Sequence, residues 1–426
     1  MDFGKIADEA RFLWGQWERT LRDGTGTVVH FVDGFDERFL AAEEALAGAP
    51  TSMLRAWLEK ALDGTAKKND VAVMALALLA SGAKEAGDIV SQALESHPQH
   101  RGQLARAMEI CWTDLEGLLM GWLRAARSAA AVTATLRAVA FREVKLGAKL
   151  DPFLRVEDEE VLEAALGCLP FADNRDLRSV EQALGSGREP TRRAAQYVAL
   201  KLEPRLALQD LRQDFDRRQG SLDLASIALA ISASPADVER LEQAAGEPAF
   251  RRQALWALGL SGWVVGADVC LSALSDEKAI DLAAEGFEAI SGIRLPSAAG
   301  PSDEAGEAGE VKPAEPAAAA TAWTAPPFAK RPPVDTQKAA SEWNSRKRGL
   351  GGRLWAGAPL VGETLTIALK REPLRRRHAR ALELEVRSKG EARLQTLGWG
   401  WRQLRDIGRL QIPGRVSCQA PLDRSR

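Results

Sequence analysis

The chain holds a single tyrosine, four cysteines and four histidines among 426 residues. Each scarcity excludes something. Cys111, Cys168, Cys270 and Cys418 stand far apart and form no Cys-x-x-Cys pair. Neither a disulfide framework nor a zinc knot is therefore expected; buried thiols in a reducing compartment are. So few histidines leave most nucleophilic mechanisms without a base, and no Gly-x-Ser-x-Gly elbow occurs. No catalytic residue, metal site or cofactor is expected, and an enzyme is not the reading. An uncharged apolar run of about 18 residues, as a membrane-spanning helix needs, is missing too. Met1-Asp2-Phe3-Gly4 has neither the basic start nor the apolar core of a secretory signal, so a cytoplasmic location is expected. Strand-like alternation is nearly absent.

What the chain has instead is alanine, leucine and glycine at helical spacing. From Phe250 to Gly292 the order reads helix, turn, helix, turn, helix. Arg251-Arg252-Gln253-Ala254-Leu255-Trp256-Ala257-Leu258-Gly259 comes first, then Val264 to Ser275, then Ala283 to Ile290. Copies recur at offsets near multiples of about 30 residues. Ala77-Leu78-Leu79-Ala80-Ser81-Gly82 precedes Ala257-Leu258-Gly259-Leu260-Ser261-Gly262 by 180 positions. Ala183-Leu184 precedes Ala273-Leu274 by 90. Such a period accommodates two helices of about 11–12 residues with short turns. Neither helix of a pair buries its stripe alone, so the pairs must stack. Ala77, Ala165, Ala195, Ala228 and Ala257 are expected in helix contacts, where small side chains let helices approach.

These residues carry a resemblance. The segment 250–292 resembles HEAT-like repeats of phycobilisome-lyase type. Over more of the chain, Phe12-Leu13-Trp14, Asp36-Glu37-Arg38, the Phe287–Gly292 run and Gly352-Arg353-Leu354-Trp355-Ala356-Gly357-Ala358-Pro359-Leu360 resemble landmarks of an uncharacterised proteobacterial HEAT-repeat family. Some members of that family are encoded near type VI secretion genes, which implies a component of that system as one client. The chain departs from the family after Arg38, where Ala42-Glu43-Glu44-Ala45 replaces a histidine-containing run.

The expected fold class is all-α: an α-solenoid of HEAT-like helical pairs. Residues 1–65 read as a helical N-terminal cap and 66–294 as the repeat solenoid. Residues 295–341, rich in proline, alanine and glycine, read as a disordered linker. Residues 342–426 read as a basic helical C-terminal region, with Pro373 at a helix start. Limited proteolysis is expected to cut the linker and release a stable fragment ending near Leu295.

The net charge of −2 conceals an asymmetry, since residues 330–426 carry 22 Lys and Arg against 9 Asp and Glu. An acidic body with a basic tail points to internal docking or to an acidic partner. Cys111-Trp112-Thr113-Asp114 has the residue types of a base-stacking glycosylase site. However, residues 66–300 carry 27 basic against 33 acidic side chains, which is no groove for phosphate. Trp112 therefore reads as packing. His97 and His100 flank Pro98-Gln99 and lack a third ligand, so they read as loop residues. Glu157-Asp158-Glu159-Glu160 reads as the acidic start of a helix. Arg346-Lys347-Arg348-Gly349-Leu350-Gly351-Gly352-Arg353 is basic and glycine-rich, but it has no Gly-Lys-Ser/Thr ending.

The functional expectation is a non-enzymatic protein-binding scaffold or adaptor using the concave face of the solenoid, with a protein client and no membrane. The alternative is a nucleic-acid-binding protein acting through the basic residues 342–426. Partner-binding candidates are Arg178 and Arg240, which the helical spacing leaves off the stacking face, and Trp263, which begins the second helix of the strongest pair and would otherwise pack on the helix before it. They are expected to share one surface.

Overall fold

The computed structural model describes residues 2–64, 69–173, 176–295, 323–326, 331, 334–412 and 416–423. The fold is all-α, with stacked helical pairs of solenoid type, and divides into two compact units. One comprises Met1–Leu202 with Leu394–Arg409, the other Glu203–Arg393 with Leu410–Arg426.

The first unit contains α1 (Phe3–Asp23) and α2 (Val28–Phe31), which runs through a π-helical turn into α3 (Glu37–Ala47). Then come α4 (Thr51–Leu62), α5 (Asp70–Ala80), α6 (Ala86–Ser96), α7 (Arg101–Ile110) and α8 (Glu116–Ala125). After α9 (Ala129–Phe141) follow α10 (Glu159–Cys168), α11 (Leu177–Leu184) and α12 (Glu189–Leu202). The helices α1, α3, α5, α7, α9, α10 and α12 pack in succession as an inner row, with α4, α6, α8 and α11 outside it. Every residue of α5 from Asp70 to Leu79 is buried. A helix that is apolar all round belongs between layers.

The second unit contains α13 (Pro204–Arg217), α14 (Leu222–Ile231), α15 (Pro235–Ala245), α16 (Arg251–Ser261), α17 (Val264–Ser272) and α18 (Ile280–Ser291). It continues with α19 (Thr336–Arg346), a two-residue hairpin of β1 (Leu354–Trp355) and β2 (Ala358–Pro359), α20 (Gly362–Arg371) and α21 (Leu374–Arg387). Here α14, α16 and α18 form the inner row, and α13, α15 and α17 flank it. The last helix, α22 (Gly400–Arg409), belongs to the first unit.

The repeat period is visible in where inner-row helices begin. These starts are Glu37, Asp70, Arg101, Ala129, Glu159 and Glu189 in the first unit, and Leu222, Arg251 and Ile280 in the second. The intervals stay close to the roughly 30-residue period of the sequence. Ala77, Ala165, Ala195, Ala228 and Ala257 are all fully buried on these helices. The tightest crossing is made by two glycines. A Cβ on Gly259 of α16 would sit 2.6 Å from the Cα of Gly286 on α18. Ion pairs follow the period as well: Arg218 meets Glu247 and Arg252 meets Asp281, each bridging consecutive repeats.

The boundaries drawn from the sequence differ from these units at the C-terminal end. Most of the expected linker, 296–322, lies outside the described residues. Its later part is anchored in the second unit. The Trp323 carbonyl accepts from Gln253, the Ala325 N–H donates to the same amide, and the Pro326 carbonyl accepts from Arg252. Helix α19 already begins at Thr336, capped by Asp335. Residues 342–426 are no separate body either, because 394–409 cluster with the first unit and the rest with the second. Composition misplaces such a boundary because a basic segment docks wherever carboxylates and helix ends await it.

Candidate functional site

Helix α21 is the least expected element. It reads LRRRHARALELEVR, yet from Arg376 to Val386 every residue is buried. Its arginines close the ends of neighbouring helices. Arg376 donates to the Gly259 carbonyl at 2.7 Å and Arg380 to that of Leu260 at 2.8 Å. From the preceding strand segment, Arg353 donates to the Ser261 carbonyl at 2.6 Å. These three carbonyls end α16 and have no intrahelical partner. Arg387 reaches the Ile231 carbonyl at the end of α14, 2.7 Å away, and Arg377 reaches Leu369 on α20 at 2.5 Å. The negative ends of three helix dipoles thus face cations.

Carboxylates complete the network. Glu383 pairs with Arg353, with Arg387 at 2.8 Å and with Arg380 at 3.4 Å. Glu372 meets Arg380 at 3.3 Å, and Glu285 pairs with Arg375. Burial alone would raise the Glu383 carboxyl, but the three surrounding guanidiniums hold it down at about 2. Burial lowers Arg377 to about 9, against the charge of Glu372. This arrangement binds the chain to itself. Cys270 and Cys418 are buried beside it, and burial pushes their thiols up to about 12 and about 11.

The first unit uses aromatics for the same task. Trp399, just before α22, is buried against Trp17, Phe39 and Trp112, and its indole donates to the Ile110 carbonyl at the end of α7. Asp36 accepts from the Trp17 indole at 2.8 Å and from the Trp401 N–H at 2.9 Å. Trp112 is therefore a packing residue. Arg142 and Arg402 cap the carbonyls of Cys111, Thr113 and Trp112 around it. His97 ends α6, and His100 lies 3.2 Å from the Leu62 carbonyl. Asp158 caps α10, accepting from the Val161 N–H.

An open space lies elsewhere in the first unit. After α9 the chain does not form an outer helix. Residues 147–150 and 153–155 make two 3-10 turns instead, and α9 packs directly on α10. Between these turns, α10, α11 and the start of α12 is a cleft of about 750 Å3. Its lining includes Leu154, Arg155, Glu159, Leu162, Arg178 and Gln182. Arg155, Arg178 and Gln182 are exposed. Neither guanidinium donates to any group among the described residues. Asp176 holds the end of α11, accepting from the N–H groups of Arg178 and Ser179 and from the Ser179 hydroxyl at 2.7 Å. The Ser179 hydroxyl bond, ahead of the opposing effect of burial, lowers its carboxyl below the usual range.

The three partner-binding candidates have different surroundings. Arg178 lines this cleft in the first unit. Arg240 and Trp263 lie in the second, on the adjacent outer helices α15 and α17. Arg240 is committed internally, donating to Asp216 on α13 at 3.2 Å and to Asp237 at 3.3 Å. Trp263 caps α17, is half-buried, and forms an antiparallel bridge with Arg353. Arg155 escaped the sequence reading because it follows no helical spacing; it closes a 3-10 turn. Glu383 escaped because Leu-Glu-Leu-Glu on a basic helix looks like a solvated face.

Comparison with family models, with curated proteins and with solved structures gave no match for this chain.

Proposed function

We propose that the protein is a non-enzymatic, protein-binding scaffold whose client seats in the cleft between the 3-10 turns, α10 and α11. The observation that carries this reading is the lapse in helix pairing at residues 142–158, which leaves a polar cleft of about 750 Å3. That volume lies within the range of ligand pockets, about 300–1,000 Å3. The HEAT-like inner face is a poorer candidate for an external client in the second unit, because α21 already lies on α14 and α16. A type VI secretion component is one client that the family resemblance implies. Among the described residues, no helix is long and apolar enough to cross a membrane.

Nucleic-acid binding through residues 342–426 is the second reading. It is weakened by the burial of Arg353, Arg376, Arg377 and Arg380, which face carbonyls and carboxylates, although Arg346 and Arg348 are exposed. Phosphate neutralisation needs exposed cations.

A photocrosslinking residue placed at Gln182 tests the scaffold. In cells of the native host it is expected to trap a discrete protein, whereas the same residue at Arg55, exposed on α4, traps none. Identical crosslinking patterns from the two positions would remove the reading.

A further inference from the structure

We infer that the arginine network of the second unit encloses a binding site for one small monovalent anion, of the size of chloride, held by the two terminal nitrogens of Arg377. The site lies within the second unit and does not depend on the scaffold reading. Charge in this network does not balance. Arg353, Arg375, Arg376, Arg380 and Arg387 share three carboxylates, those of Glu285, Glu372 and Glu383. Arg377 is a sixth guanidinium and is fully buried, yet it forms no ion pair among the described residues. Six cations thus stand against three anions, a surplus of three.

Helix ends offset part of that surplus. The last carbonyls of α14, α16 and α20 accept from these arginines, and each helix end carries about half a negative charge. More than one positive charge stays without compensation, and it is centred on Arg377. Its Nε donates to the Leu369 carbonyl at 2.5 Å, but Nη1 and Nη2 have no hydrogen-bond partner among the described residues. Burial lowers the group to about 9, against the charge of Glu372, so it stays protonated at neutral pH. Elsewhere in the network the unsatisfied groups are donors as well. The Trp256 indole N–H has no acceptor, and Arg376, over that ring, approaches Glu372 and Glu285 only at 3.6 and 3.8 Å.

Buried polar groups are nearly always paired, and the exceptions call for a water or an ion. A water satisfies N–H groups but leaves the charge. An anion answers both needs, and its hydrogen bonds to a guanidinium are about twice as strong as neutral ones. The ion has to be small and singly charged. Arg377 presents no surface to a partner's side chain or to a nucleotide, and each further charge on the ion adds to the cost of taking it out of water.

The test uses the full chain, unfolded by urea at constant ionic strength while sodium gluconate is replaced by sodium chloride. Unfolding opens the site, so the anion equilibrates. One site present only in the folded state lowers the unfolding constant about tenfold for each tenfold rise in chloride above the dissociation constant. Wild type is expected to follow that line. Arg377→Met is expected to be at least as stable as wild type without halide and to gain nothing from chloride. Arg377→Lys keeps the charge but loses the fork, and is expected to need at least about tenfold more chloride for the same response. Arg371→Gln, exposed on α20, is expected to respond as wild type does. Crystals grown in sodium bromide are expected to show an anomalous peak within hydrogen-bond reach of Arg377 Nη1 and Nη2. The proposal is overturned if the unfolding constant of wild type depends on chloride no more than that of Arg377→Met, or if Arg377→Lys responds at wild-type concentrations. Bromide confined to the surface would mark an adventitious ion only and overturn it too.

Discussion

Glu43 and Arg377 show what a single buried charge does without a full set of partners. The Glu43 side chain on α3 is fully buried, and neither of its oxygens is hydrogen-bonded among the described residues. Burial raises its carboxyl well above the usual range. Between the ordinary and the raised value the folded state keeps a proton that the unfolded chain releases. Stability contributed by this group therefore falls as pH rises through that window. Glu43→Gln removes the titration. Its melting temperature is expected to gain on wild type as pH rises from about 4 to about 8, with the two converging at the acid end. Parallel profiles would show that Glu43 finds a charged partner. Arg377 is the cationic counterpart: its Nε donates to Leu369, while Nη1 and Nη2 have no hydrogen-bond partner among the described residues. A buried charge that is incompletely paired costs stability, and an apolar side chain of similar volume often does better by about 1–4 kcal/mol. Arg377→Met is therefore expected to leave the denaturation midpoint unchanged or raise it, and a large loss would count against this account.

Helix α21 works as an element only because its charges are shared out. Glu383 lies within reach of three arginines, and those arginines also end α14 and α16. Removing the carboxylate charge leaves buried cations without their anion. Glu383→Gln is expected to cost about 3–5 kcal/mol by chemical denaturation, the usual result of breaking a buried pair. The low Glu383 value adds a pH signature. Its stabilisation is complete above the ordinary carboxylate pKa and is lost as pH falls towards about 2. The variant should lack that acid-side loss. The crossing of α16 and α18 depends on the absence of side chains. A Cβ on Gly286 would lie 2.9 Å from Cys270 Sγ and 3.0 Å from the Gly259 Cα. Gly286→Val is expected to destabilise by about 1–3 kcal/mol through overpacking. Gly187→Val, in a loop where a Cβ meets nothing within 4 Å, is the control.

Across the whole molecule, the C-terminal segments complete both units. Residues 394–409 supply Trp399 and α22 to the first, and 323–393 with 410–426 supply the arginine network to the second. The fragment ending near Leu295, which composition alone suggests is stable, is therefore not expected to be so. A chain truncated there leaves the carbonyls of Gly259, Leu260 and Ser261 without their donors and uncovers the aromatic cluster around Trp17. It is expected to bind a hydrophobic dye and to lose its cooperative melt. A sharp transition matching that of the full chain would contradict this.

The sequence by itself determined the helical class and the repeat. Alanine and leucine at helical spacing, recurring about every thirty residues, leave apolar faces that only stacked helices can cover. That is why Ala77, Ala165, Ala195, Ala228 and Ala257 were legible as contact positions before any coordinates. Arg178 was legible as an exposed residue from the helical spacing of Leu177, Val180 and Leu184, although the buried face of its helix is made by Val180 and Ala183, with Leu177 and Leu184 half-buried. Tertiary structure decided where the basic residues go. A local pattern distinguishes apolar from polar, but it does not distinguish an arginine facing water from one facing a helix end. The carbonyls of Gly259 and Ile231 lie more than a hundred positions from the arginines that cap them. The cleft is likewise a tertiary product. It arises where 3-10 turns replace a helix, and hydrophobic periodicity carries no record of the space left by an element that does not form.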